Sequence, residues 1–146
     1  MKKIIILVFL SILLTGCVSK KFTLDDVYYN KNVFLEVDSK EIENKLKMKE
    51  SFILFTYNPY CNFKVSCDEI FKNFAINNNV EILKIPFEDF KNTRLYKKIK
   101  YAPSIILINK GEVIDYLDPN KDDDLDMYQD EEKVNTWIRE FVNLKN

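Results

Sequence analysis

Cys61 and Cys67, in the stretch "YCNFKVSCDEI", are separated by five residues and are two of only three cysteines in a chain of 146 residues. Two thiols can form a redox pair, contribute to a metal site, or divide into a reactive surface thiol and a small buried side chain. The rest of the composition narrows the choice. There is no histidine, which excludes Ser-His-Asp and Cys-His nucleophiles and every histidine-bearing zinc site. Two cysteines fall short of the four ligands that a structural zinc site usually takes, so no metal is expected. Glycine occurs only at positions 16 and 111, which leaves no glycine-rich loop to cradle a phosphate.

The elements that must position these thiols read as an alternation. "NVFLEV" (32–37) suits a strand, and Asp38 with Glu41 forms an N-cap pair opening a helix to about Met48, with Val37 and Ile42 as a hydrophobic staple. "SFILFTY" (51–57) is continuously apolar, as expected of a central strand covered on both faces. A helix to about Asn77 follows the cysteines, then "VEILKI" as a strand and a helical stretch near Phe87 to Ile99. "PSIILINKGEVIDYL" predicts two antiparallel strands joined through Asn109-Lys110-Gly111. Val134, Trp137, Ile138 and Phe141 recur at helical spacing in a closing helix from Asp130. This order predicts an α/β fold, a mixed sheet with helices on both faces.

The compartment is read from the first residues. Lys2 and Lys3 precede an apolar run from Ile4 to Leu14, eleven residues long and far short of the roughly 20 needed to span a bilayer. Leu14-Thr15-Gly16-Cys17 resembles the lipobox of bacterial lipoproteins, which implies a signal peptide over 1–16, cleavage before Cys17 and diacylation of that cysteine. The expected organisation is then a lipidated tether over 17–31 and one domain over 32–146, on the extracytoplasmic face of a bacterial cell membrane. As a flexible coil the tether would span about 20 Å. The mature chain carries 20 basic and 23 acidic residues, a net −3, without the basic excess of nucleic-acid binders. Outside the cytoplasm, the remaining pair of cysteines can persist as a disulfide.

The buried strand "FILFTY" leading into "NPYC", the helix after it, and "YAPSIILINKGEV" about 40 residues downstream resemble the thioredoxin superfamily over nearly all of 32–146. The resemblance implies a thioredoxin-like fold with a central mixed sheet of about five strands. It implies thiol-disulfide exchange without a cofactor, with Cys61 as the attacking thiol; Cys67, the other remaining cysteine, is the candidate second catalytic thiol. Pro103 would be the family's cis-proline, and Tyr60, Ala102 and Pro103 would border the substrate. Two departures stand out. Lys64 occupies the resolving position of the family's Cys-x-x-Cys, and Phe55 falls where many thioredoxins keep a buried carboxylate. These departures support an alternative, a non-catalytic binding or accessory module in which a Cys61–Cys67 bridge is structural or absent.

Whether the two sulfurs can meet depends on where the helix begins. In a gapless match it begins near Cys61, so that Cys67, Ile70, Phe71 and Phe74 share its apolar stripe. Six residues of helix then rise about 9 Å, more than the roughly 7 Å that a disulfide tolerates. Local signals argue for a later start: Ser66 and Glu69 have capping-box spacing, and Val65 and Ile70 are the matching staple. On that reading 58–65 is a loop, Cys61 can fold back onto Cys67, and the helix start favours a thiolate at Cys67. Both readings stand at this point. A last candidate lies in "LDPNKDDDLDMYQDEE", where Asp118, Asn120 and Asp122 alternate as in a calcium loop. Asp123 and Gln129 stand where such a loop needs glycine and glutamate, so a solvated segment with Asp130 capping the next helix is expected. The partners expected are exported or envelope proteins bearing thiols or disulfides.

Overall fold

The computed structural model describes residues 20–58 and 67–145, and for Cys67 the backbone alone. Strands β1 (Phe34–Glu36), β2 (Phe52–Tyr57), β3 (Ile82–Pro86), β4 (Ser104–Asn109) and β5 (Glu112–Tyr116) form one sheet in the order β1-β3-β2-β4-β5. β1 and β2 run parallel to β3, while β4 is antiparallel to both β2 and β5. The central position of β2 explains its composition: Phe52, Ile53, Leu54 and Phe55 are each 0% exposed, because successive side chains enter opposite layers and both layers are covered. Each such side chain contributes about 1.5–3 kcal/mol.

Helix α1 (Ser39–Lys47) starts as its sequence demands, with the Asp38 carboxylate accepting the Glu41 N–H at 2.8 Å. Val37 and Ile42 are both buried beside that cap. Helix α2 (Cys67–Asn77) and the closing helix α5 (Glu131–Phe141) cover one face of the sheet, where Phe71 packs edge-on against Phe55 at 4.9 Å. Asp130 caps α5 by accepting the N–H groups of Glu132 and Lys133. The helix expected over 87–99 is broken into α3 (Phe87–Phe90) and a 3-10 turn at Arg94–Lys97. Thr93 is the cause: its buried hydroxyl donates to the Phe90 carbonyl at 2.8 Å, closing the first turn on itself. The acidic segment, expected as a solvated loop, forms the short α4 (Asp122–Leu125) and a 3-10 turn at Asp126–Tyr128.

The tether expected over 17–31 does not extend past Lys21. Phe22, Leu24, Tyr28 and Tyr29 are buried in the core, at 9%, 2%, 1% and 5% exposure. The segment carries aromatic residues with no helical or alternating period, and it folds by lying across the strand ends rather than as a regular element. Phe22 pairs with Val142 just beyond α5, Asp25 donates its N–H to Ser51 before β2, and Tyr29 pairs with Val80 before β3. The packed domain therefore begins ten residues earlier than position 32.

Candidate functional site

Three parts of the chain converge at one end of the sheet. β2 ends at Tyr57, α2 opens with Cys67, and the segment 101–103 enters β4, whose first residue Ser104 lies opposite Thr56. The Ala102–Pro103 peptide bond is cis, as the family resemblance implied. Pro103 is buried, Ala102 half-buried and Tyr101 53% exposed, so this segment presents an aromatic side chain beside a fixed backbone. Tyr128 ties it down from below: its buried hydroxyl lies 2.8 Å from the carbonyl oxygens of both Pro103 and Leu117.

The start of α2 is held to the sheet by an ion pair between Asp68 and Lys84. Lys84 projects from the middle of β3 with its side chain only 17% exposed, and its ammonium sits 4.0 Å from the centre of the Tyr57 ring. Burial, with the Glu36 carboxylate next in weight, raises the Tyr57 phenol above its usual range. Behind this cluster the wall is aromatic: Phe55 is in contact range of Phe34, Tyr57 and Phe71, and Phe71 of Tyr128. Phe55 is itself fully buried. A groove of about 820 Å³ runs from this cluster along the β1 edge, lined by Val33, Phe34, Asp68, Lys72, Ile76 and Lys84 among others.

Of the residues singled out from sequence, Ala102, Pro103 and the backbone of Cys67 are brought to one end of the sheet. Cys61, Tyr60, Lys64, Val65, Ser66 and the lipidation candidate Cys17 lie outside the described residues. Ile70, Phe71 and Phe74 face the core in both readings of the helix start. The sequence reading missed Lys84, Asp68, Tyr128 and Thr56. A lone lysine within the apolar strand "ILKIP" was the available signal for the first. Thr56 Oγ1 is buried without a hydrogen-bond partner among the described residues. In the acidic segment, Asp118 accepts the Asn120 N–H and Asp124 accepts the Asp118 N–H, so these carboxylates close the segment's own turns. No group of three or more metal-ligating side chains occurs among the described residues.

No protein-family model matches the sequence, and no curated protein matches it. Solved structures do match. A thioredoxin from Halobacterium salinarum aligns with a TM-score of 0.60 at 14% identity, covering 80% of this chain and 97% of its own. A thioredoxin from Trypanosoma brucei brucei aligns with a TM-score of 0.52 at 12% identity, over 74% of this chain and 93% of its own. One from Entamoeba histolytica gives 0.51 at 14% identity, over 66% and 97%. The fold is thioredoxin-like: a five-stranded mixed sheet with helices.

Proposed function

We propose that this chain is a lipid-anchored, extracytoplasmic thiol-disulfide exchange protein acting through Cys61 and Cys67 on exported or envelope proteins. The observation that carries the reading is the placement of Cys67 at the start of α2, at the sheet end where the Ala102–Pro103 segment lies. The thioredoxin-like fold supports it. The helix start favours a thiolate there, and Lys84 adds a positive charge that Asp68 partly offsets.

In the reductive direction one thiolate attacks a sulfur of the partner's disulfide. The partner's S–S bond breaks, a mixed disulfide forms, and the partner's other sulfur leaves as a thiolate that takes up a proton. The second cysteine, as thiolate, then attacks the mixed disulfide, releases the partner's remaining thiolate and leaves a Cys61–Cys67 bridge. Two electrons pass to the partner, and the reverse sequence oxidises it, with direction set by the two reduction potentials. The segment at Ala102 and Pro103, backed by Tyr128, offers a fixed backbone against which the partner chain lies.

The test is the equilibrium potential of the pair across a glutathione series, together with capture by Cys61→Ser and Cys67→Ser variants. A potential above about −300 mV with a trapped mixed disulfide is expected, since structural bridges generally lie lower. A second reading, a non-catalytic binding module, is favoured by one observation: the aromatic Phe55 in place of a buried carboxylate. A potential below that value with no trapped partner from either variant would establish it instead.

A further inference from the structure

Phe22 is a fixed point. Its N–H donates to the Phe141 carbonyl at 2.8 Å and its carbonyl accepts the Asn143 N–H at 2.7 Å, with the ring 9% exposed. Only five residue steps separate it from Cys17, at most about 17 Å of extended chain. If Cys17 carries the lipid, as the proposed function holds, the part of the domain around Phe22 must lie at the bilayer surface.

That part is the end opposite the thiols. The segment from Phe22 to Tyr29 crosses beneath the starts of β2 and β3, where Asp25 donates to the Ser51 carbonyl and the Tyr28 carbonyl accepts from Glu81. β2 rises from there through Phe52–Tyr57, about 20 Å at 3.3 Å per residue, before the chain reaches the Cys67 and Pro103 end. The anchored end also holds the close of α1 and the β4–β5 turn, since the Gly111 N–H donates to the Glu50 carbonyl at 2.9 Å.

The two ends differ in chemistry. Met48 and Val27, at 73% and 60%, are the most exposed large apolar side chains among the described residues, and both belong to the anchored end. Around them Lys20, Lys21, Lys47, Lys49 and Lys110 are exposed, and Lys145 pairs with Asp26. The carboxylates there are Asp25, Asp26, Glu112, Glu140, the buried Glu81, which pairs with Lys31, and Glu50, which accepts from the buried Tyr28 hydroxyl. At the opposite end residues 118–133 hold eight carboxylates against Lys121 and Lys133, Lys98 and Lys100 before Pro103 add two further cations, and Tyr128 binds the acidic segment to Pro103. A mature chain of net charge −3 is thus divided into a basic, partly apolar end and an acidic one.

We propose that the end bearing Val27, Lys47, Met48, Lys49 and Lys110 rests on an anionic lipid surface, and that the acidic Cys67–Pro103 end is held facing away from it. The short tether lets this face reach the headgroups, and within a Debye length of them, about 8–10 Å, its lysines are attracted, whereas the inverted orientation would bring the acidic segment into that layer. Partner disulfides would then be met above the membrane, about one domain height out, rather than at its surface.

The test uses the lipidated chain, with amine-reactive labelling read by mass spectrometry. On vesicles containing phosphatidylglycerol, Lys47, Lys49 and Lys110 should label at least about threefold more slowly than in detergent, with Lys121 and Lys133 unchanged. On phosphatidylcholine vesicles, or at high salt, that protection should relax. Equal rates at the two ends on anionic vesicles, or protection at Lys121 and Lys133, would overturn the inference. The same digest reports the mass of the Cys17 peptide. An acylated peptide with equal rates removes the orientation and leaves the anchor, whereas an unacylated peptide removes both.

Discussion

Tyr128→Phe tests whether the candidate site is clamped from below by a single hydroxyl. Tyr128 is 0% exposed and its oxygen lies 2.8 Å from the Pro103 and Leu117 carbonyls, so one proton serves two buried acceptors. Phenylalanine keeps the ring and its edge contact with Phe71 at 6.0 Å, and removes only the donor. A buried acceptor left unsatisfied costs about 1–3 kcal/mol, and a shared proton means that the two costs do not simply add, giving about 2–3 kcal/mol. With about 2.1 cal/mol/K of unfolding entropy per residue, a domain of about 125 residues should lose roughly 8–12 °C in Tm. Calorimetry and urea titration, both under reductant so that the thiols are equivalent, measure this directly. Amide exchange at Tyr101 and Ser104 should accelerate more than exchange in β3, because the lost bond holds that segment. A loss below about 0.5 kcal/mol with an unchanged m-value would refute the clamp.

Alkaline stability should depend on Tyr28. Burial, and then its hydrogen bond to Glu50, raise this phenol far above its ordinary value, so in the folded state it stays protonated where the unfolded chain ionises. Its contribution is therefore complete below about pH 10 and is lost as pH rises above it, by about 1.4 kcal/mol per unit. In urea titrations the destabilisation caused by Tyr28→Phe should shrink by about 2 kcal/mol between pH 8 and pH 11.5, and a constant difference would contradict the assignment. Gly111→Ala should destabilise by more than about 2 kcal/mol in the same titration, since φ is +77° and a Cβ would stand 2.4 Å from the Leu46 carbonyl oxygen. For the exchange reaction, a pH–rate profile with a single thiol inflection is expected, because no buried carboxylate stands at Phe55. A second inflection in stopped-flow rates would reveal another proton acceptor.

The sheet was legible because its strands advertise themselves. "FILFTY" and "SIILIN" each carry a run of four consecutive apolar residues, which suits a doubly covered strand. The Asp38 and Asp130 caps were legible because a carboxylate at that offset satisfies N–H groups that nothing else reaches. What escaped was tertiary. Phe22, Leu24 and Tyr28 show no period, because they bury themselves against strand ends and not along an element of their own. Thr93 broke a helix that residues 87–99 otherwise predict, through a hydroxyl whose competition with the backbone is decided by burial. At the site, the cysteines and Pro103 were visible as residue types, while Tyr128 was hidden in an acidic stretch. Its role exists only once β4 and the turn at 126–128 are brought together.

The substitution at Phe55 bears on mechanism through where a proton can go. A thiol at the start of α2 loses its proton more easily the better its anion is stabilised, and here the stabilising groups are the helix start and Lys84. Opposed to them stand Asp68, Glu69 and the acidic segment, all on the same end of the domain. The aromatic wall behind offers Phe34 and Phe55 from the sheet and Phe71 from α2, which neither accept a proton nor solvate a charge. A buried carboxylate would let the second thiol ionise inside the mixed disulfide, sheltered from water. Without one, that proton must leave through solvent or through the partner's departing sulfur. On the proposed function the second step then becomes more sensitive to the partner than the first, and it should run fastest with partners whose leaving thiol has a low pKa and departs as the thiolate without needing that proton.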